Sequence, residues 1–306
     1  MKVVIFGASG FVGQNVVKKL SKHSLEITAS DIRPLHLGLE YDAPEDVKFI
    51  GSDILDEKHV DDLVEGTDVI IHHAVSNLRT SLENPKRNVK INIAGTMNIL
   101  EAARKYDAKK IIYSSASSVY GVPEYLPVDE GHQKRPTTVY GVTKYAVEHL
   151  IRVYQELYGL DYFILRFTNV YGPYQHPDTG GLIPVVMSRI LKSEEVYMHG
   201  DGSQTRDFVY VGDLADLIYK ITVQERLKNE IVNAGTGVAT PIKKIIATCA
   251  KVLDIEPNII YKPQESGERK GFQADMNKCK KILGMVPNTP LEIGLKHTAE
   301  WIKMVI

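Results

Sequence analysis

The sequence has few of the residues that mark secreted or metal-binding proteins. Its two cysteines, Cys249 and Cys279, do not form a Cys-x-x-Cys pair, so neither a disulfide framework nor a zinc site is predicted. No run approaches the roughly 18 apolar residues that a membrane-spanning helix needs. The first residues already read as a core strand, which leaves no room for a signal peptide. We therefore expect a cytoplasmic protein with no membrane partner.

Net charge is nearly absent as well. The formal charge of −1 gives no reason to expect DNA, RNA or an anionic membrane as a partner. With 306 residues, of which 43% are apolar, the chain can form one large or two modest domains. An anionic ligand would have to be held by a few local basic groups.

The amino-terminal stretch carries the clearest local pattern. Residues 3–6 are apolar as in a strand buried on both faces, and a glycine-rich turn then leads into a helical pattern. Such a turn lets backbone N–H groups and a helix N-terminus approach a pyrophosphate. The residues predicted to hold a dinucleotide here are Gly7, Gly10, Phe11, Val12 and Gly13.

An acidic residue follows at the spacing typical of dinucleotide binding. Asp31 closes the next apolar strand, about 20 residues beyond the turn, where a carboxylate can accept from both hydroxyls of a ribose. It also repels a 2′-phosphate, so the sequence favours NAD over NADP, although the nearby Arg33 weakens that preference. A βα turn without a ligand is the simpler alternative, and the agreement of strand, turn, helix and acid argues against it.

Strand and helix patterns alternate through the first half of the chain. This repetition predicts a Rossmann-type α/β fold, a doubly wound parallel sheet that binds ligands at the carboxyl ends of its strands. Beyond residue 172 the signals become short and mixed. We predict an NAD-binding domain over 1–172, to which 208–236 returns, and a smaller mixed substrate lobe over 173–207 and 237–306. A substrate should lie in the cleft between them.

A tyrosine and a lysine four residues apart form the sharpest chemical signal. On a helix Tyr140 and Lys144 lie on one face, about a turn apart. A free tyrosine, with a pKa near ~10, is a poor base at neutral pH. We expect the ammonium and a positively charged nicotinamide ring to lower that pKa, so that Tyr140 can take a proton from a secondary alcohol. A chance surface pair is the alternative.

Five motifs occur together in this chain: Gly7-x-x-Gly10-x-x-Gly13, Asp53-Ile54, Asn92-x-x-Gly95-Thr96-x-Asn98, Val119-Tyr120-Gly121 and Tyr140-x-x-x-Lys144. With them the chain resembles an extended short-chain dehydrogenase/reductase of the NAD-dependent epimerase/dehydratase family. Segments 166–173 and 200–208 resemble the nucleotide-sugar branch, above all the UDP-glucose 4-epimerases, and the resemblance covers essentially the whole chain.

The resemblance implies roles for further residues. Around NAD it places Asp53 and Ile54 at the adenine, Ala74, Asn92 and Ser114 near the cofactor, and Lys144 on the nicotinamide ribose. Its substrate is a UDP-sugar, for which it implies contacts from Asn169, Tyr197, His199, Arg206, Arg269 and Phe272. A surface salt bridge would also explain Arg206, and an edge strand would explain Tyr197 and His199.

The resemblance also implies a reaction and an assembly. Tyr140 removes the proton of the sugar 4-hydroxyl while hydride passes from C4 to NAD, and the 4-keto sugar turns over before the hydride returns to its other face. NAD is thus regenerated in each cycle. The helices over 86–106 and 140–158 carry more apolar surface than one sheet face needs, and the family pairs them with a second copy. We therefore expect a homodimer, with internal core as the alternative.

The chain departs from the family pattern at the serine cluster. Ala116 stands where the family has a Ser or Thr that hydrogen-bonds the reacting oxygen, a loss worth ~1.5–3 kcal/mol. We expect Ser117, or a water molecule, to take over that role. Ser117 and Ser118 offer no carboxylate for elimination, which argues against a sugar dehydratase.

A second departure concerns the diphosphate. Glu265 stands where the family has an arginine, so either Arg269 or Lys270 supplies the cation or the substrate differs from that of the family. A nucleotide-sugar reductase or dehydrogenase and a catalytically impaired NAD-binding sensor or scaffold both remain open as alternatives to the epimerase.

Overall fold

Twelve strands and eleven helices make up the described part of this computed structural model, which covers residues 1–33, 47–263 and 271–306. The strands are β1 (Lys2–Phe6), β2 (Glu26–Asp31), β3 (Val47–Gly51), β4 (Val69–His72), β5 (Lys110–Ala116), β6 (Asp161–Phe167), β7 (Asn169–Tyr171), β8 (Val196–His199), β9 (Thr205–Tyr210), β10 (Glu230–Ala234), β11 (Ala239–Pro241) and β12 (Ile259–Lys262). The helices are α1 (Phe11–Leu20), α2 (Glu57–Val64), α3 (Leu78–Glu83), α4 (Pro85–Val89), α5 (Thr96–Lys105), α6 (Val139–Tyr158), α7 (Leu182–Leu191), α8 (Val211–Val223), α9 (Ile242–Leu253), α10 (Asn277–Leu283) and α11 (Leu291–Val305).

The main sheet has seven parallel strands in the order β10-β6-β5-β4-β1-β2-β3. Successive residues of β1 face opposite sides, so Val3 and Ile5 pack with α1 and α8, whereas Val4 and Phe6 pack with α2, α5 and α6. The strand order reverses between β1 and β4, which opens a crevice at their carboxyl ends. The predicted Rossmann-type doubly wound sheet is confirmed.

The smaller lobe is built from two short sheets, β11-β9-β7 and β12-β8, and its core is filled from α7, α9 and α11. β9 lies in this lobe, whereas α8 packs against α1 and β10 forms the edge of the main sheet. The return of the chain to the main sheet therefore begins after Tyr210. The domain boundaries given above remain a prediction.

The long helix expected over 86–106 is interrupted. Between α4 and α5 the segment Lys90–Gly95 forms a π-helical turn, a feature frequent at functional sites. Gly95 ends it where a Cβ would lie 2.5 Å from Ile54 Cδ1, so any larger residue there would require the Ile54 side chain to shift. The hydrophobic spacing alone does not distinguish such a turn from a continuous helix.

None of the helices within the described ranges combines the length and the apolar composition that crossing a bilayer requires.

Candidate active site

The glycine-rich turn after β1 brings the backbone of three elements into close contact. Gly7 has a φ of +81°, and a Cβ there would lie 2.7 Å from the Cα of Ala74. A Cβ on Gly13 would lie 2.8 Å from the Cα of Ala8 and closer still to the carbonyl oxygen of Gly7. Gly10 precedes α1 and supplies no capping side chain, so the first N–H groups of that helix can serve an anion.

Asp31 ends β2 beside this turn. Its Oδ2 accepts a 3.1 Å hydrogen bond from the Ser9 amide and its Oδ1 a 3.2 Å bond from the Arg33 amide. The Asp31 side chain is only 9% exposed, whereas the Arg33 side chain is 67% exposed and lies 3.9 Å away. The carboxylate is therefore fixed next to the turn, as the ribose assignment requires.

Asp53 and Ile54, the pair expected at the adenine, differ in exposure. Asp53 is exposed, and its Oδ1 accepts a 2.9 Å bond from the Leu55 amide. Ile54 is buried under the π-helical turn, and its carbonyl accepts a 3.0 Å bond from Asn98. Asn98 of the family motif thus holds the backbone of the Asp53–Ile54 pair in place.

Asn92 lies in the π-helical turn and is buried. Its Oδ1 accepts a 2.7 Å bond from the Ser76 amide, and its Nδ2 donates to Ser76 O and to Thr143 Oγ1 at 3.1 and 3.0 Å. It therefore connects the segment after β4, which contains Ala74, to α6 between Tyr140 and Lys144. The side chain supports the site through its neighbours.

Lys144 is the central cation of the site. Its side chain is 3% exposed, its Nζ donates a 2.6 Å bond to the Ser114 carbonyl, and it lies 4.7 Å from the Tyr113 ring centroid and 5.8 Å from that of Tyr140. Tyr140 and Lys144 lie on one face of α6, whose start is capped by Thr138. The structure thus brings Tyr140, Lys144 and Ser114 together at the carboxyl edge of the sheet.

The expected lowering of the Tyr140 pKa by Lys144 is not found in the free chain. Burial raises the pKa of Tyr140 to about 12 and lowers the pKa of Lys144 to about 7. Desolvation disfavours both charged forms, and at the ring distance seen here it outweighs their mutual attraction. Tyr140 therefore keeps its proton at neutral pH, and a further positive charge is needed to make it a base.

Two adjacent histidines end β4 on opposite faces of the sheet. His72 Nε2 lies 2.9 Å from Thr96 Oγ1, and His73 Nδ1 lies 2.6 Å from Ser114 Oγ. Burial, and then the charge of Lys144, lowers the pKa of His73 to about 3. Both histidines are neutral at pH 7, which leaves Lys144 as the group of this cluster that can carry a positive charge near neutral pH.

The serine cluster follows Ser114 out of β5. Ser115 points to the opposite face from Ser114, and Ala116 ends the strand. Ser117 begins a 3₁₀ turn and is partly exposed. Ser118, which sequence reasoning did not select, has a buried Oγ with no hydrogen-bond partner among the described residues. Its carbonyl would meet a Cβ on Gly141 at 2.8 Å, so Ser118 packs against α6 beside Tyr140.

The residues expected at the substrate divide into two groups. Asn169 and Arg206 lie together, because β7 pairs with β9 and Asn169 Nδ2 donates a 3.2 Å bond to Asp207 O. Arg206 Nη1 donates to Thr205 O at 2.9 Å.

The second group consists of Tyr197, His199, Phe272 and Arg269, and the contacts of its described members are mainly with neighbouring protein side chains and backbone. Tyr197 is 40% exposed, with Arg189 and Lys262 at 4.7 and 4.8 Å from its ring centroid, which supports the edge-strand explanation. His199 ends the same strand, and its carbonyl accepts a 3.0 Å bond from Gln204. Phe272 is 2% exposed and packs against Tyr120. Arg269, Glu265 and Lys270 lie outside the described residues.

Metal chemistry has no obvious centre in residues 1–33, 47–263 and 271–306. No group of three or more His, Cys, Asp or Glu side chains there could hold a metal ion. Both cysteines are buried thiols, whose pKa values are raised by that burial. The polar groups of the site instead suit an organic cofactor.

Known proteins agree with this geometry. Residues 3–235 match the model of the NAD dependent epimerase/dehydratase family. A Methanocaldococcus jannaschii protein, whose name assigns it provisionally as a UDP-glucose 4-epimerase, is 38% identical over 306 residues, 98% of either chain. A UDP-N-acetylglucosamine 4-epimerase from Methanobrevibacter ruminantium, solved with UDP-N-acetylmuramic acid, has a TM-score of 0.93 at 27% identity and covers 100% of this chain and 99% of its own.

A solved UDP-glucose 4-epimerase from Thermus thermophilus contains NAD, has a TM-score of 0.89 at 28% identity and covers 100% of both chains. The turn at Gly7 and Gly13 leaves no space for a Cβ, and Asp31 lies beside it, so the residues present fit that cofactor. The cofactor of this chain is NAD, and the chain belongs to the NAD dependent epimerase/dehydratase family, as its motifs indicated.

Proposed function

We propose that this protein is an NAD-dependent 4-epimerase of a UDP-sugar, and that it interconverts UDP-glucose and UDP-galactose. The observation that carries the proposal is the pair formed by Tyr140 and the buried Lys144, aligned on one helix face at the crevice of the sheet. A hydroxyl that can become a base beside a buried ammonium suits reversible oxidation of a secondary alcohol.

The residues that would hold NAD follow the crevice from one end to the other. The turn from Gly7 to Gly13 would take the pyrophosphate, Asp31 the adenine-side ribose, and Asp53 with Ile54 the adenine. Lys144 would donate to the nicotinamide ribose, with Ala74 and Ser114 bordering the ring. Asn92 would hold this end of the site together through Ser76 and Thr143.

Tyr140 takes the proton of the sugar 4-hydroxyl in the forward step and returns it in the reverse step. Bound NAD would supply the acceptor for the C4 hydride, and the positive charge of its oxidised ring would lower the pKa of Tyr140 from its value in the free chain. The Lys144 ammonium would add a second positive charge near the phenol of Tyr140. The hydrogen bond from Lys144 to the Ser114 carbonyl would fix the ammonium, so that Tyr140 is the group that exchanges a proton with the sugar.

The UDP part is assigned to the cleft between the two lobes. Arg206 would pair with the diphosphate through its planar guanidinium, and Asn169 would contact the same group. His199, at the end of β8, would border the base, while Tyr197 would line the outer side of that strand. Arg269 and Phe272 complete the set that the family resemblance implies, and Phe272 would do so as a packed wall of the sugar pocket.

A cofactor-free assay tests the proposal. Purified protein incubated with UDP-glucose or UDP-galactose, with no added NAD, should interconvert them through NAD that it already carries. A requirement for stoichiometric NAD or NADH would support a reductase or dehydrogenase instead. Bound NAD without turnover of these or of other UDP-hexoses, such as UDP-N-acetylglucosamine and UDP-glucuronate, would support the sensor or scaffold.

The missing hydroxyl at Ala116 leads to a test of its two neighbours. Because Ser118 Oγ is buried and unpartnered beside Tyr140, we expect Ser118→Ala to lower kcat roughly ten- to a hundredfold. Ser117→Ala is the matched single-hydroxyl variant and should cost less. A larger loss from Ser117→Ala, measured in the same assay, would favour the assignment made from the sequence.

A homodimer would cover an apolar face of α6. Val142, Val153 and Leu157 share that face and are 51%, 43% and 66% exposed, and Leu82 and Val89 are exposed on α3 and α4, which contact α6. We expect light scattering to give twice the mass of one chain, and Leu157→Glu to give a monomer that still binds NAD. A monomeric parent protein would exclude the dimer.

A further inference from the structure

A buried ion pair lies directly behind Lys144. Glu148 is one turn further along α6 and only 1% exposed, and its carboxylate is held by the Arg166 guanidinium, with Nε to Oε1 at 3.0 Å and Nη2 to Oε2 at 2.6 Å. Tyr140, Lys144 and Glu148 follow the same four-residue spacing, so the motif on this helix face extends one turn beyond Lys144.

The same carboxylate holds the end of β5. Glu148 Oε1 accepts a 2.5 Å bond from Ser115 Oγ, and the preceding residue supplies the carbonyl to which Lys144 donates. Two residues one turn apart on one face of α6 therefore bind two successive residues of β5. A shift of Ser115 would also move the Ser114 carbonyl oxygen, and the Lys144 ammonium that is bonded to it would move as well.

Arg166 fixes this arrangement from the neighbouring strand. Its Nη1 donates to Tyr120 Oη at 3.0 Å, and Tyr120 Oη donates to Asn233 Oδ1 at 2.6 Å. Two buried charges are costly to desolvate, and replacing such a pair by apolar groups is often neutral for stability. Its presence one turn behind a catalytic lysine therefore points to a role beyond holding the fold.

Resting on the proposed function, we propose that Glu148 is a positioning residue that keeps Lys144 in place and protonated, with Arg166 as its clamp. Burial lowers the pKa of Lys144 to about 7, and the charge of Glu148 acts in the opposite direction. The other titratable groups that face Lys144 are Tyr140 on α6, Tyr113 on β5 and His72 with His73 on β4, and each is neutral at pH 7. Glu148 is therefore the anion that opposes loss of the Lys144 proton.

Removing that anion should move the titration of Lys144 to lower pH. In Glu148→Gln the Arg166 guanidinium is left without its counter-charge, and both changes disfavour the ammonium. We expect the midpoint to fall by about one pH unit, the size of effect that a close charge has. Because neutral Lys144 no longer supports a Tyr140 phenolate, kcat should fall about tenfold at pH 7.5, with KM for the UDP-sugar changed much less.

Proton release on NAD binding provides a readout that needs no sugar. Calorimetric titration of cofactor-stripped protein with NAD, in two buffers of different ionisation enthalpy and from pH 6 to pH 9, counts the protons lost. A positive nicotinamide ring beside Lys144 should cause release that peaks near the midpoint of that lysine. Glu148→Gln should move the peak to lower pH, whether or not UDP-glucose turns out to be the substrate.

Matched variants separate charge from packing. Glu148→Asp keeps the charge and should leave the peak in place, and Ser115→Ala removes only the hydroxyl, so it should lower kcat without moving the peak. If Glu148→Gln does not fold, the uncharged pair Glu148→Gln/Arg166→Met takes its place and should also shift the peak downward. An unchanged peak in the folded variant would overturn the proposal, whereas absence of epimerase activity in the parent protein would overturn only the proposed function.

Discussion

Tyr140→Phe should abolish sugar interconversion while leaving the fold and the bound NAD intact. The substitution removes a single hydroxyl, and the ring would keep its place at the start of α6 above Lys144. Loss of a general base costs about 10²–10⁴-fold in rate. Lys144 Nζ is held by its 2.6 Å hydrogen bond to Ser114 O, so it is not placed to replace the phenol oxygen. We therefore expect a loss at the upper end of that range.

The measurement is kcat for UDP-glucose, together with NAD released on denaturation and the melting temperature. Tyr145→Phe is the matched control, since Tyr145 lies on the same helix and its ring packs against His149. Its hydroxyl has no place in the proposed reaction, so activity should stay within about twofold. Full activity of Tyr140→Phe would remove Tyr140 from the reaction and, with it, the basis of the proposed mechanism.

Gly13→Ala should eliminate NAD binding. A Cβ at this position would lie 2.8 Å from Ala8 Cα and still closer to Gly7 O, and both neighbours are backbone atoms that cannot rotate away. The turn would have to open, which separates the N-terminus of α1 from the end of β1 and widens the pyrophosphate site. Overpacking of this kind costs about 1–3 kcal/mol of stability, and we expect at least a hundredfold weaker binding of NAD.

Calorimetry with NAD and thermal unfolding test this prediction. Gly51→Ala is the control, because a Cβ there meets no atom within 4 Å and its φ lies outside the left-handed region. That variant should bind NAD like the parent protein. If Gly13→Ala retained stoichiometric NAD, the close approach of helix and strand at this turn would not be needed for the cofactor.

Tertiary burial explains where the sequence-based prediction of chemistry was incomplete. The four-residue spacing of Tyr140 and Lys144 gives their shared face, but the order of their pKa values depends on desolvation by β4 and β5. For the same reason the sequence alone does not single out Ser118 as a site residue. Whether its hydroxyl meets a partner or a closed space depends on the packing of the 3₁₀ turn against α6.

The residues of the small lobe show the same limit. A hydrophobic pattern predicts an edge strand at Tyr197, yet only the contacts with Arg189 and Lys262 show how its ring is held. The alternation in β5 likewise predicts opposite faces for Ser114 and Ser115. That Ser115 meets Glu148, and through it Arg166 on β6, follows from contacts between residues far apart in the chain.

The sequence by itself determined the family, the cofactor, the Rossmann-type sheet and the identity of the tyrosine–lysine pair. These depend on short spacings, and the geometry of a turn or of one helical turn follows directly from the backbone. Only the tertiary structure decided the π-helical turn at Asn92, the protonation of Tyr140 and the Glu148–Arg166 pair behind Lys144. Those depend on which groups lose contact with water together, and that is set when distant segments pack.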